Sequence, residues 1–133
     1  MDSSDVTAGT NATASQFNNL RKDLILAKSV ASTETDAATI TLDWSDKTKG
    51  KIRTVTLAGN RTLAFSNVTA NQFLILRVIQ GGSGSNTLTY PANTDFSYGV
   101  DPTLSTAVGD IDWLVFYAKT TSTFDGFQAG TIM

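Results

Sequence analysis

The sequence predicts a mainly β protein: an N-terminal arm and a short α-helix, then an antiparallel β-sandwich of about seven to eight strands. Three observations carry this. Residues 71–80 (NQFLILRVIQ) are apolar at nearly every position, broken only by Arg77, and Gly81 and Gly82 end the run at once. That length suits a strand, and the missing alternation predicts a central strand covered on both faces. Other apolar segments of strand length recur at regular spacing, with turn residues between them. No helix-length segment separates the strands, which argues against βαβ units.

Residues 1–12 are small and polar and read as a flexible or docking arm. Residues 13–31 read as an amphipathic helix. Thr13 and Gln16 have the spacing of a capping box. Phe17, Leu20, Leu24, Ala27 and Ala31 then form one apolar seam over about two heptads. The seam either covers a sheet of its own domain or packs against copies of itself. About two heptads are too few to hold a coiled coil alone.

The β domain spans 39–133, after a polar link. Ile40, Leu42 and Trp44 alternate with polar residues as in a half-buried strand. In 51–57, Ile52 falls out of phase with Val55 and Leu57, which reads as a bulge or as a strand covered partly on both faces. Residues 62–65 form a short strand before the central one. Residues 81–86 (GGSGSN) read as a hairpin loop, with 87–90 as its return strand. The weakly patterned stretch 92–108 is long enough to be functional or partly structured, and carries Phe96 and Tyr98. Residues 111–118 are a second strongly apolar strand, and 123–132 supply the last strand or two.

Composition narrows the chemistry. At 133 residues this is one domain, able to bury roughly two-thirds of its unfolded surface. Net charge is −2 and 17% of residues are charged, with no basic patch, which argues against nucleic acid as a partner. The chain has no cysteine and no histidine. That removes disulfides, thiolate nucleophiles, histidine bases and most transition-metal sites, and no cofactor is expected. Met1 is followed by Asp2, Ser3, Ser4 and Asp5, unlike a signal peptide. No apolar run approaches the ~20 residues of a membrane span, so membrane insertion is not expected and assembly in a cytoplasm is.

Candidate sites are few. The Gly-rich loop after a strand lacks the Lys-Ser/Thr and the following helix of a phosphate loop. Asp110 and Asp112 lie on one side of a strand. With Asp95, Asp101 and Asp125 they have the chemistry of a Ca²⁺ site, or alone that of a glycosidase pair. A turn and a solvated strand end explain them more simply. Arg77 calls for a local partner or a subunit interface. Phe96 and Tyr98, with Trp44, are the aromatic candidates for surface recognition, as in a carbohydrate-binding β-sandwich module.

Four segments carry a family resemblance: 57–63 (LAGNRTL), 74–80 (LILRVIQ), 84–91 (GSNTLTYP), and 102–106 (PTLST) running on to 112–116 (DWLVF). Together with 14–23 (ASQFNNLRKD), they resemble the small β-domain of bacteriophage tail-fibre, receptor-binding and related virion structural proteins. The resemblance covers most of the chain from Ala14 onward. It implies a homotrimeric β-sandwich without catalytic residues, located in the virion. It also implies attachment to other virion proteins through the N-terminal segment, and outward loops that meet a host receptor or glycan. On this reading Phe17, Leu20, Leu24, Ala27 and Arg77 belong to an oligomer or anchor interface. Phe96 and Tyr98 are then the recognition residues. The chain differs from a full tail fibre in lacking a long fibrous region.

Overall fold

A computed structural model describes residues 13–27 and 31–133, with side chains for 13–21 and 31–133. The chain is mainly β, with one helix and two sheets of six and three strands. The expected arm lies outside the described residues. Helix α1 (Ala14–Ala27) starts on the predicted capping box. The Thr13 amide donates to Gln16 Oε1 (2.7 Å), and the Gln16 amide donates to Thr13 Oγ1 (3.2 Å). Ala31 does not extend the helical seam; it opens strand β1 (Ala31–Thr33).

The strand directions correct the antiparallel expectation. β1, β3 (Ile52–Leu57) and β5 (Phe73–Gln80) run parallel in one sheet. β2 (Thr39–Asp43), β4 (Arg61–Ser66) and β6 (Leu88–Thr89) run parallel in the other. The chain therefore alternates between sheets, and each coil stacks on the one before. Ile52 pairs with both Ala31 and Ile75, and Thr62 pairs with both Thr39 and Thr89. A parallel crossover needs a dozen or so residues but not a helix; here a strand of the opposite sheet supplies it. Antiparallel pairing enters only with β8 (Ile111–Ala118), which pairs with β5, and β9 (Phe124–Ile132), which pairs with β8. β7 (Thr94–Phe96) adds parallel to β9, completing the six-stranded order β1-β3-β5-β8-β9-β7.

Residues from both sheets share one core. Ile40, Leu42, Trp44 and Leu63 come from the three-stranded side and its corner. Leu57, Leu74, Leu76, Leu114 and Phe116 come from the six-stranded side. Phe65 meets Phe116 and Phe124 edge-on, at centroid distances of 5.0 and 4.8 Å. Trp44, a recognition candidate by sequence, is buried in this cluster.

The stacked corners leave polar groups inside the protein, and side chains satisfy them. Residues 81–86 are not a hairpin tip, because β6 pairs with β4 in the other sheet. Gln80 and Asn86 fix this crossing. Gln80 Nε2 donates to the Asn86 carbonyl, and Asn86 Nδ2 reaches the carbonyls of Leu57 and Gly81. Gly84 has φ of +75°, and a Cβ there would collide with the Thr106 carbonyl. At another corner Arg61 forms a two-pronged pair with Asp36 of the preceding coil (2.7 and 2.5 Å). This bond, chiefly, holds the Asp36 carboxyl below its ordinary value.

β3 has no bulge against β5; its pairing is continuous. The break in apolar phase arises because Arg53 takes a core position while Ile52 lies on the outer face. The Arg53 guanidinium is fully buried. It donates to Glu34 Oε1 (2.7 Å) and to the carbonyls of Gly50 and Asp43 (both 2.8 Å). Lys49 completes the set on Glu34 Oε2 at 2.6 Å.

Two predictions follow from these bonds. Arg53→Ala leaves Glu34 with Lys49 alone and strands two carbonyls, and costs about 3–5 kcal/mol in urea unfolding. The Asp36–Arg61 pair makes stability pH-dependent. The folded carboxyl value is depressed, so the contribution is complete above the ordinary value of 3.8 and is lost as pH falls through the folded value. The stability gap between wild type and Arg61→Gln therefore narrows on acidification; a gap unchanged down to acid unfolding would contradict this.

Candidate interaction surfaces

Strands β5 and β8 alternate strictly. Leu74, Leu76 and Val78 on β5, and Leu114, Phe116 and Ala118 on β8, point into the core. The opposite face is apolar as well. Its cross-strand pairs run Phe73 with Tyr117, Ile75 with Val115, Arg77 with Trp113, and Ile79 with Ile111. β9 continues these rows with Phe127, Gly130 and Ile132. No described element covers this face: Phe73 is 55%, Phe127 47% and Ile132 57% exposed. The central run, expected to be covered on both sides, has a single cover in the isolated chain. Apolar residues in both phases of β5 and β8 are the sequence signal for this face.

The face has structure of its own. The Phe73 and Tyr117 rings lie 4.9 Å apart. The Arg77 guanidinium sits 5.8 Å from the Trp113 ring centroid, a cation–π contact, and has no ion pair among the described residues. Ala129 is the extra residue of a bulge in β9, because Gln128 pairs with Leu114 while Gly130 pairs with Trp113. The small residues Ala129 and Gly130 leave a groove of about 370 Å³, walled by Ile75, Trp113, Val115, Thr131 and Ile132. Toward the β7 edge the surface turns charged. Lys119 bridges Asp95 (2.6 Å) and Asp125 (3.0 Å), and these bonds hold its ammonium above the ordinary lysine value.

Helix α1 presents a second open apolar surface. Phe17 is 63% and Leu20 46% exposed. Leu24 and Ala27 lie on the helix, and their side chains are outside the described set.

The two loop aromatics separate. Phe96 ends β7 and turns inward against Tyr90, 4.8 Å between centroids, and over Gly126, where no Cβ would fit. Tyr98 is fully exposed in a left-handed backbone conformation with φ of +60°. Beside it lies a groove of about 350 Å³ lined by Phe96, Ser97, Val100, Asp101, Pro102, Thr103, Gly126 and Gln128. Tyr90 donates to the Pro102 carbonyl behind this loop (3.1 Å). Burial, then the Asp112 and Asp101 charges, push its phenol far above the ordinary value.

The aspartates do not converge. Among the described residues, no group of three or more acidic, histidine or cysteine side chains is placed to hold a metal ion. Asp112 is not on a solvated strand end; it is fully buried. It accepts from the Ser105 amide (2.9 Å) and hydroxyl (2.7 Å), from Gln128 Nε2 (3.2 Å) and from Thr131 Oγ1 (2.8 Å). It fastens the 103–106 segment to β8 and β9. Asp110 accepts from the Ala107 amide within its own turn. Among the described residues, no helix is long and apolar enough to cross a membrane. Comparison with protein-family models, curated proteins and solved structures gives no match.

Proposed function

We propose that this chain is a non-enzymatic structural protein of a bacteriophage virion that works as a homotrimer. Its two sheets act as the layers of a sandwich-like β domain. The N-terminal arm and α1 attach it to the particle, and the β domain projects outward as a tail-fibre or receptor-binding tip or as capsid decoration. The observation that carries this reading is the apolar outer face of β5, β8 and β9. Rows of aromatic and branched side chains left open on a folded subunit mark a surface completed by another protein. The open seam of α1 is a second such surface, and the motif resemblance supplies the virion context. Three copies would bind a host surface by avidity, without one strong site.

A carbohydrate-binding module is the second reading. Tyr98 favours it: a strained, fully exposed ring beside a groove that carries the Asp101 carboxylate and the Gln128 amide. Ring faces and planar polar groups are the chemistry that holds sugars.

Mass measurement in solution tests the assembly. A trimer at micromolar concentration is expected, and a persistent monomer of the full chain defeats the first reading. Averaged images of the particle then place it, with few copies at a tail tip or many on a shell. Tyr98→Gly separates the readings. Glycine adopts the left-handed conformation freely, so unfolding stability stays level or rises by up to about 1 kcal/mol. Glycan-array binding present in wild type and lost in this variant supports the module; no glycan binding by wild type removes it.

A further inference from the structure

Resting on the oligomer reading, we infer that the outer groove of β8 and β9 is the seat of helix α1 from a neighbouring copy, which leaves attachment to the particle to the arm that precedes the helix. The two open apolar surfaces of the molecule then cover each other between chains.

Size and composition set the occupant. Three strands about 4.8 Å apart and eight residues long at about 3.3 Å each make a face of about 380 Å². A standard interface takes about 800 Å² per partner, so simple face-to-face contact falls short. If each chain gives one helix and receives one, the buried surface per chain roughly doubles and approaches that size. A 14-residue helix is about 21 Å long, close to the length of the face along its strands and longer than its width. Lying across the strands, its seam would overrun the face. It would meet Thr54 and Thr56 of β3 on one side and the Asp95–Lys119–Asp125 cluster on the other.

Chain length decides whose helix it is. Ala31 lies in the same row as Ile52, Ile75, Val115 and Phe127. The groove is thus three to four strands from β1, about 17 Å across the sheet. A helix axis stands about 10 Å above a sheet, which puts the end of an aligned helix about 20 Å from Ala31. From Ala27 to Ala31 the chain spans at most about 14 Å. A chain's own α1 cannot lie along its own groove; a neighbour's can.

The chain has no cysteine, so introduced thiols report the contact cleanly. Leu20→Cys and Val115→Cys chains, one carrying a size tag, are co-expressed and oxidised. The expected product is a mixed disulfide joining a tagged to an untagged chain. Gly130→Leu fills the groove where no atom stands within 4 Å. It is expected to reduce the oligomer to monomer and to lower the cross-link yield at least tenfold, with monomer unfolding unchanged. Two results overturn the inference but spare the oligomer. One is a trimeric wild type in which these thiols never join. The other is an L20C/V115C chain that closes its disulfide only within itself. A monomeric wild type overturns the oligomer reading and this inference together.

Discussion

Everything in this molecule depends on backbone pairing between successive coils. A parallel stack has no hairpins to fix its register, so each corner must do so with side chains. Asp36 with Arg61, Asn60 with the Thr87 amide, and Asn86 with the Leu57 carbonyl each join one coil to the next. Deep in the first corner, Arg53 joins β3 to Glu34 and to the carbonyls that end β2 and precede β3. Buried ionic groups add little net stability, because desolvation offsets the attraction. Their value here lies in geometry. Coils slipped by one residue would leave a guanidinium and a carboxylate unpaired in the core.

Much of this was legible in the sequence, and what was missed follows a pattern. Strand positions and the capping box are local, and local periodicity finds them. Strand direction is not local. Glycine and asparagine turns serve a hairpin and a sheet-to-sheet crossing equally, so 81–86 read as the commoner form. Arg53 was missed because a charged residue in a strand is assigned to solvent, and its partners Glu34, Asp43 and Gly50 come together only through the fold. Asp112 misled for the same reason. Its donors from Gln128 and Thr131 lie on the next strand, so the sequence showed a carboxylate and not the bonds that occupy it.

The candidate surface was half legible. Apolar residues in both phases of 73–80 said correctly that both sides of the strand are apolar. They could not say that one side would meet the protein's own core while the other stays open within a single chain. Phe96 and Tyr98 looked equivalent in a loop of weak pattern. Their divergence depends on β7 pairing with β9, which turns Phe96 over Gly126 and releases Tyr98 into solvent.

The Ala129 bulge carries a consequence for how such a chain can evolve. Side chains on a strand alternate with period two, so one extra residue reverses the assignment of faces beyond it. Because of it, Thr131 turns inward to bond Asp112, while Gly130 and Ile132 turn outward to the groove. Deleting the alanine would remove the bulge and leave the two sides as they are, whereas straightening the strand with Ala129 kept in register would exchange them beyond it. A threonine would enter the apolar face, and an isoleucine would take the place of a bond to a buried carboxylate. The bulge therefore lets this strand hold one residue more or fewer at that point while core and outer surface stay apart.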